Sequence, residues 1–236
     1  MMMETTLFFT PHQDDEVLSM GSAIIEHAKV SDTHVILCSD GSKSTVRKRL
    51  SEDGTCSFHL GYHGFYLTEK EFSGYRDTEF KESCEALGVK KENIHADKDR
   101  AVDGSLTKEK ARKMILSYLE KYPNAKVKTI SPFGDMLTQN DHRALGEAAL
   151  ELYEEGKIKD LRFYVEPYKY EEFIQDKPDV RSWRVLNDDE EKLFKAIKAY
   201  KKWDPKDRRF AIGYHSVSSY FDSLEINKIQ YIHTPE

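Results

Sequence analysis

The stretch TTLFFTPHQDDEVLSMGSAIIEHAKV (residues 5–30) passes from an apolar segment to an amphipathic one through the short loop PHQDDE. Residues 5–10 predict a strand, and residues 15–30 carry apolar side chains at helical spacing. Between them, one His and three carboxylates fall within five positions. Neighbouring carboxylates repel one another, and a buried carboxylate is costly without a positive partner. The cluster therefore either faces water or surrounds a cation.

The same alternation of strand and helix continues along the chain. Further strands are predicted at 34–38, 93–96, 126–132 and 161–167, and further helices at 76–89, 107–122, 142–156 and 188–203. This alternation predicts an α/β fold with a mostly parallel sheet and helices on both faces. We expect a single domain over residues 1–236, with a core of about 1–167 and a C-terminal extension of about 168–236.

Residues 42–75 do not continue this alternation of strands and helices, because no convincing regular structure is predicted there. The segment is basic at its start (KSTVRKR, 43–49) and then rich in glycine and aromatic residues. A loop of that length in a compact domain is usually functional or disordered. Its aromatic rings suit stacking on sugars, and its cations could meet a phosphate or carboxylate. The simpler alternative is that the rings pack onto the body and the charges are solvated.

Composition argues against several classes of protein. The net charge of -6 gives no reason to expect nucleic-acid binding through bulk electrostatics. The three cysteines are far apart and form no C-x-x-C pair, which argues against a disulfide framework or a thiolate metal site and fits a reducing compartment. No stretch approaches the roughly 18 apolar residues that span a bilayer, and the N-terminus lacks a signal-peptide pattern. We therefore expect a soluble cytoplasmic protein.

Loops with polar and ionisable side chains follow three of the predicted strands. PHQDDE follows the strand at 5–10, SDGS (39–42) follows the strand at 34–38, and SPFGDMLTQNDH (131–142) follows the strand at 126–132. In open parallel sheets, ligands bind at the carboxyl ends of strands. Because two of these loops carry His together with Asp, the fold is expected to bring both to one edge of the sheet.

His12, Asp15 and His142 form the candidate metal site. His12 and Asp15 are three residues apart and can share a face of the turn into the helix, and His142 could supply a third ligand. Two His nitrogens and one carboxylate oxygen suit Zn²⁺ with a position left for water, although Fe²⁺ or Mn²⁺ also accept such ligands. Asp14 would remain as a base for that water, whose pKa a metal lowers towards about 7. Alternatively, Asp14 and Asp15 cap the helix and His12 is structural.

These motifs and their order resemble the PIG-L/LmbE family of zinc-dependent N-acetylglucosaminyl deacetylases. PHQDDE is similar to the family's A/P-H-P-D-D-E, and NDH (140–142) to the end of its H-P-D-H. YRDTEFKESCEALGV (75–89) resembles its R-x-x-E helix, and VDGSL (102–106) its D-G-x-L segment. The resemblance covers about residues 1–205. It implies a Rossmann-like fold and removal of an acetyl group from the amide of an N-acetylated amino sugar or glycoconjugate.

The resemblance also implies roles for individual residues. His12, Asp15 and His142 match the family's metal ligands, and Asp14 matches its general base. Arg76 matches an arginine that lies by the substrate in several members, although a structural ion pair with a nearby Glu is an alternative.

Two positions depart from the family pattern. Gln13 replaces a proline, which removes rigidity but no ligand. Gln139 replaces the first His of H-P-D-H, a residue that Asp141 would orient. Gln139 can donate a hydrogen bond to the oxyanion but cannot transfer a proton. Either the metal carries most of the oxyanion stabilisation or another residue supplies the acid, for which His215 is a candidate, although a single histidine there is more often structural.

Three functions remain open at this point. The first is metal-dependent deacetylation of an N-acetylated amino sugar or glycoconjugate, and the second is the same chemistry on a non-sugar acyl amide. The third is a metal-containing carbohydrate-binding protein with little turnover, motivated by Gln139. The presence of Asp14 speaks against the third, because binding alone needs no base.

Overall fold

The structure is a computed structural model that describes residues 4–52, 54–96, 99–133, 140–166, 179–185 and 187–236. Its strands are β1 (Thr5–Thr10), β2 (Asp32–Leu37), β3 (Ile94–His95), β4 (Lys126–Ile130), β5 (Leu161–Val165), β6 (Arg181–Arg184), β7 (Trp203–Asp204), β8 (Arg209–Phe210) and β9 (Ile229–His233). Its helices are α1 (Asp15–Val30), α2 (Val46–Ser51), α3 (Glu69–Ala86), α4 (Lys108–Lys121), α5 (Asn140–Glu154), α6 (Glu190–Lys201) and α7 (Ile212–Asn227).

The central sheet confirms the predicted fold class. Its strands lie in the order β3-β2-β1-β4-β5-β9-β6, and the first five pair in parallel. Successive residues of β1 point to opposite faces. Phe8 packs into the core beneath α1, α3 and α6, whereas Leu7 and Phe9 pack into the core beneath α4 and α5. Helices therefore cover both faces of the sheet.

The prediction of an irregular segment over 42–75 is wrong at both of its ends. Residues 46–51 form α2, and α3 begins at Glu69 rather than at 76. A capping box starts α3: the Thr68 hydroxyl accepts from the Glu71 backbone N–H at 3.2 Å, and the Glu71 carboxylate accepts from the Thr68 backbone N–H at 2.9 Å. The sequence Thr-Glu-Lys-Glu carries that signal.

The aromatic residues of the same segment divide into two groups. Phe72 is fully buried in a small core with Val46 and Leu50, as the packing alternative expects. Tyr62 and Tyr66 are instead 73% and 79% exposed. Phe58, Phe65 and Tyr75 are half-buried, so Tyr62 and Tyr66 are the rings most available to a ligand in this conformation.

The C-terminal segment contributes strands to the central sheet. β9, the apolar stretch IQYIH, pairs antiparallel with both β5 and β6. α6 packs against α3 and α1. The division of the domain at about residue 167 stays a prediction. Within the described residues, no helix is long and apolar enough to cross a membrane.

Glu79 links α3 to the start of α7 and should make stability depend on pH. Its carboxylate accepts from the backbone N–H groups of Ile212 at 2.7 Å and Gly213 at 3.0 Å. Burial raises the pKa of Glu79 from 4.5 to about 8. The unfolded chain therefore loses this proton at lower pH than the folded chain, and the free energy of unfolding should fall as pH rises between these two values.

The variant Glu79→Gln cannot ionise, so its free energy of unfolding should fall less than that of the wild type across this pH window. Urea unfolding of both proteins at either end of the window measures the difference. An equal fall in both proteins would remove Glu79 as its source.

Candidate metal centre

The structure brings the three predicted metal ligands together at the carboxyl edge of the sheet. His12 lies in the loop after β1, Asp15 begins α1, and His142 lies in the first turn of α5. His12 Nδ1 is 3.0 Å from His142 Nε2, and Asp15 Oδ2 is 3.2 Å from His142 Nε2 and 3.5 Å from His12 Nδ1. Ligand atoms of a tetrahedral Zn²⁺ lie about 3.3 Å apart. The donor set and its spacing therefore fit one divalent ion of that size.

In each candidate histidine ligand, the ring nitrogen that points away from the other ligands lies next to a carboxylate. His12 Nε2 lies 3.2 Å from both Asp103 Oδ1 and Asp141 Oδ2. His142 Nδ1 lies 3.1 Å from Glu166 Oε1. Such carboxylates fix the tautomer and ring orientation of metal-binding histidines. The inner nitrogens, His12 Nδ1 and His142 Nε2, are thereby left to face the same point.

Asp141 was predicted to orient position 139, and its described contacts lie elsewhere. It accepts from the backbone N–H groups of Gly104 and Leu106, both at 2.9 Å, in addition to its contact with His12. Gln139 lies outside the described residues. The catalytic roles assigned to Gln139 and Asp141 therefore stay predictions, and the geometry supports Asp141 as a group that positions His12.

Ion pairs between the histidines and the carboxylates balance the charges around the centre. Burial opposes ionisation of Asp15, yet His142 and His12 hold the pKa of Asp15 well below its usual range. Burial also opposes protonation of His142, while Asp15 and Glu166 raise the pKa of that ring to about 9. Because protons and a metal ion compete for the same nitrogen atoms, metal binding here should release protons.

Asp14 lies beside the candidate ligands and pairs with Arg76. Asp14 Oδ2 is 3.2 Å from Arg76 Nη2. Burial raises the pKa of Asp14 to about 7, against the opposing effect of Arg76. Its side chain makes no hydrogen bond to cap α1, so the capping alternative does not describe it. A carboxyl that titrates near neutral pH has the property that a general base needs.

The backbone of Asp14 adopts an unusual conformation that two buried side chains hold in place. Its φ is 98°, a value that residues other than glycine rarely adopt. Its backbone N–H lies 2.8 Å from the Tyr200 hydroxyl and 3.0 Å from Glu16 Oε2, and that hydroxyl donates to Glu16 Oε1 at 2.7 Å. Tyr200 lies on α6, so the C-terminal segment helps to position the candidate base. No local sequence pattern predicts this contact.

Arg76 is buried and makes its hydrogen bonds inward. Its Nη1 donates to the Gly41 carbonyl at 3.0 Å and its Nη2 donates to the Gln13 carbonyl at 2.8 Å. The structure therefore contains a buried ion pair of the kind that the alternative predicted, but the partner of Arg76 is Asp14 rather than a Glu. Arg76 also lines the pocket above the centre, so its assignment to substrate binding stays a prediction.

A pocket opens above these residues, and α7 forms part of its wall. The backbone of α7 is non-helical at Val217, where the helix bends. The pocket is lined by His12, Asp14, Asp15, Leu18, Ser44, Arg76, Asp103, His142, Glu166, Ser216, Val217 and Tyr220. The candidate base and all three candidate ligands therefore face one shared space.

The geometry does not support His215 as the missing acid. Its Nε2 lies 3.3 Å from Cys56 Sγ, while its neighbours Ser216 and Val217 line the pocket. Burial lowers the pKa of His215 to about 4. The ring is therefore neutral at neutral pH and is a poor proton donor.

Sequence comparison matches residues 7–153 to the PIG-L family, described as GlcNAc-PI de-N-acetylases. The chain belongs to this family, which confirms the predicted resemblance. No curated protein matches the chain.

Solved structures of similar fold include deacetylases and a hydratase. The N,N'-diacetylchitobiose deacetylase from Pyrococcus horikoshii is 16% identical, with a TM-score of 0.63 over 99% of this chain and 85% of that one. A deacetylase of the teicoplanin biosynthesis pathway is 16% identical, with a TM-score of 0.67 over 97% and 96%. Another solved structure is described as the zinc-inhibited form of a teicoplanin deacetylase. The 4-carboxy-2-hydroxymuconate hydratase from Pseudomonas putida is 15% identical, with a TM-score of 0.60 over 98% and 95%. At these identities, the likeness establishes the fold alone.

Proposed function

We propose that the protein is a metal-dependent hydrolase that removes the acetyl group from the amide of an N-acetylated amino sugar or glycoconjugate. The observation that carries this proposal is the juxtaposition of three ligand atoms, 3.0–3.5 Å apart, with the buried Asp14 carboxyl. Membership of the PIG-L family and the deacetylases of similar fold support a hydrolase of the deacetylase class.

His12, Asp15 and His142 would hold the metal. The nitrogen and oxygen donors suit Zn²⁺, while Fe²⁺ and Mn²⁺ accept the same set. When bound, such an ion polarises a carbonyl and makes a water molecule more acidic. Asp103, Asp141 and Glu166 would hold the two histidine rings in orientation.

Asp14 would move the protons of the reaction. As a carboxylate, it takes a proton from the attacking water, and Arg76 favours that ionised form. It can then return the proton to the departing amine, so that water and the amide become acetate and a free amine. The amide of Gln139 would donate a hydrogen bond to the oxyanion without transferring a proton. This assignment removes the need for a separate acid.

The test is acetate release by metal-loaded protein across a panel of N-acetylglucosamine conjugates. Zinc is added at sub-stoichiometric and at excess levels, because one similar deacetylase is described in a zinc-inhibited form. Release should require metal and disappear in His142→Ala. The matched variant His27→Asn changes a half-buried histidine of α1 outside the pocket and should retain it.

If no conjugate in the panel releases acetate while metal is bound to the protein, the amino-sugar assignment is overturned. A non-sugar acyl amide that releases its acid would then identify the second alternative. Binding of sugars without release of acetate would identify the third alternative, a metal-containing carbohydrate-binding protein. Measuring acetate rather than substrate loss also distinguishes hydrolysis from a hydratase reaction, which releases none.

Tyr200→Phe tests the positioning of Asp14. The change removes one hydroxyl from the pair of groups that hold the Asp14 backbone N–H, while the ring that packs in the core remains. Loss of one such hydrogen bond is worth about 1 kcal/mol, which corresponds to roughly a fivefold fall in kcat. KM should change little, since the hydroxyl contacts the base rather than the substrate. A rise in KM at constant kcat would contradict this role.

A further inference from the structure

A second group of metal-binding side chains lies between the α2–α3 connection and α7. Cys56, His59 and His63 come from the connection, and His215 comes from the first turn of α7. One ligand atom from each of the four residues lies within 4.8 Å of all the others. All four residues are half-buried. We call these four residues the Cys56 cluster.

Several contacts orient the cluster towards a common point. Cys56 Sγ lies 3.3 Å from His215 Nε2, and His59 Nε2 lies 3.2 Å from His63 Nε2. His63 Nδ1 lies 2.8 Å from the Arg49 carbonyl oxygen, and His215 Nδ1 lies 2.8 Å from that of Ala211. A carbonyl can only accept, so both Nδ1 atoms carry the proton. In the neutral rings, the Nε2 atoms of His63 and His215 therefore carry no proton and offer a lone pair to a metal.

Aromatic rings pack against two histidines of the cluster. Trp203 stacks on His59 with ring centroids 3.5 Å apart and planes at 9°. Phe58 meets His215 edge-on, with centroids 5.3 Å apart. Such an apolar surround strengthens metal–ligand interactions by limiting water.

We propose that Cys56, His59, His63 and His215 bind a second metal ion, a structural Zn²⁺. This site would overturn the expectation, drawn from the spacing of the cysteines, that the chain has no thiolate metal site. One thiolate and three imidazoles complete a tetrahedral zinc site without an open position, which is the mark of a structural rather than a catalytic site. The spacing within CSFHLGYH (56–63) allows three ligands to come from one short turn. Binding converts the Cys56 thiol to a thiolate, whose proton passes to solvent. It also requires the His59 proton to move from Nε2 to Nδ1, which replaces the hydrogen bond that Nδ1 accepts from the Gly61 N–H.

Such an ion would fasten the α2–α3 connection to α7. The ligand His215 immediately precedes Ser216 and Val217, which line the catalytic pocket. Arg49 also donates to the His215 carbonyl, at 2.6 Å. The ion would thus fix one wall of the pocket without taking part in the reaction. The Cys56 cluster is separate from the proposed active centre, so its metal binding does not depend on the proposed function.

A metal-free alternative accounts for the same contacts. The Cys56 thiol can donate to His215, and His59 can donate from Nε2 to His63 while its Nδ1 accepts from the Gly61 N–H at 3.1 Å. In that arrangement the four side chains satisfy one another as two hydrogen-bonded pairs. The two accounts differ in whether sulfur binds a metal.

The deciding experiment uses Co²⁺-loaded full-length protein. Thiolate-to-Co²⁺ charge transfer gives a near-ultraviolet band, and the His12, Asp15 and His142 site has no sulfur to produce it. The band should be present in the wild type and in His142→Ala, and absent in Cys56→Ser. Cys84→Ser, which changes a cysteine buried in the core, serves as the matched control and should retain the band. Zinc content should fall by one ion per chain in Cys56→Ser and by one in His142→Ala.

Alkylation of Cys56 in the wild type tests the same site if Cys56→Ser fails to fold. Zinc should slow alkylation of Cys56 by iodoacetamide in the wild type, followed by peptide mass spectrometry. Absence of the charge-transfer band together with equal alkylation with and without zinc would overturn the proposal and favour the hydrogen-bonded pairs. A weak band that a mild chelator removes at once would indicate an adventitious ion only.

Discussion

Asp14→Asn is expected to lower kcat by about 100- to 10,000-fold while metal content stays unchanged, because the change removes a general base and no ligand. Asn is close in shape to Asp and is among the residues that best tolerate positive φ, so the strained backbone at 98° should be kept. Single-turnover acetate release and metal analysis of the same preparation measure both quantities.

The pH profile supplies an independent check on Asp14. The base must be ionised to accept a proton, so activity should fall as pH drops through the pKa of Asp14. Burial raises that pKa to about 7, and a bound cation beside it would lower the value. The acid limb of kcat/KM should therefore lie at or below neutral pH and be lost from the residual activity of Asp14→Asn. Asp32→Asn, at the start of β2, is the matched control, and unchanged turnover in Asp14→Asn would remove Asp14 from the role.

Above neutral pH, where Asp14 is ionised, Arg76→Met is expected to lower the free energy of unfolding by about 3–5 kcal/mol, because it leaves that carboxylate buried without its cation. Arg76 is 4% exposed and Asp14 is 7% exposed, so solvent cannot replace the lost interaction. Two backbone carbonyls, those of Gln13 and Gly41, also lose their donor. Urea unfolding of the metal-free protein measures the effect.

The double variant Arg76→Met/Asp14→Asn separates the ion pair from the remaining packing. Removing the buried charge should recover part of the stability that Arg76→Met loses, giving a coupling energy between the two positions. Arg112→Met breaks a more exposed pair with Glu155 and should cost at most about 1 kcal/mol. If Arg76→Met kept wild-type stability and raised only KM, Arg76 would be a substrate contact rather than the partner of Asp14.

Local sequence pattern predicted the elements that lie in the centre of the fold. β1 and α1 occupy the predicted residues 5–10 and 15–30, because buried strands and amphipathic helices have clear apolar periodicity. The pattern was weak where elements are short or polar. α2 spans six residues, and the start of α3 has a charged first turn followed by Ser73 and Gly74, so neither had enough apolar periodicity to be recognised.

The candidate metal site was predictable because one topological rule brings its ligands together. Loops at the carboxyl ends of parallel strands meet at one edge of the sheet, and this places His142 beside His12 and Asp15 across about 130 positions of sequence. The groups that support the ligands follow no such rule. Glu166 ends the β5 region and Asp103 lies in the VDGSL segment, yet only their packed positions show which nitrogen each one contacts.

The α/β class, the family and the three candidate ligands were all predictable from the chain alone, because each depends on local periodicity or on motifs of fixed spacing. The groups that hold Asp14 and those that surround Cys56 became visible only once the helices were packed on the sheet. Tyr200 reaches Asp14 from α6, and His215 reaches Cys56 from α7. Both contacts join residues more than 150 positions apart, and their geometry depends on how helices pack on the sheet rather than on any short-range preference of the chain.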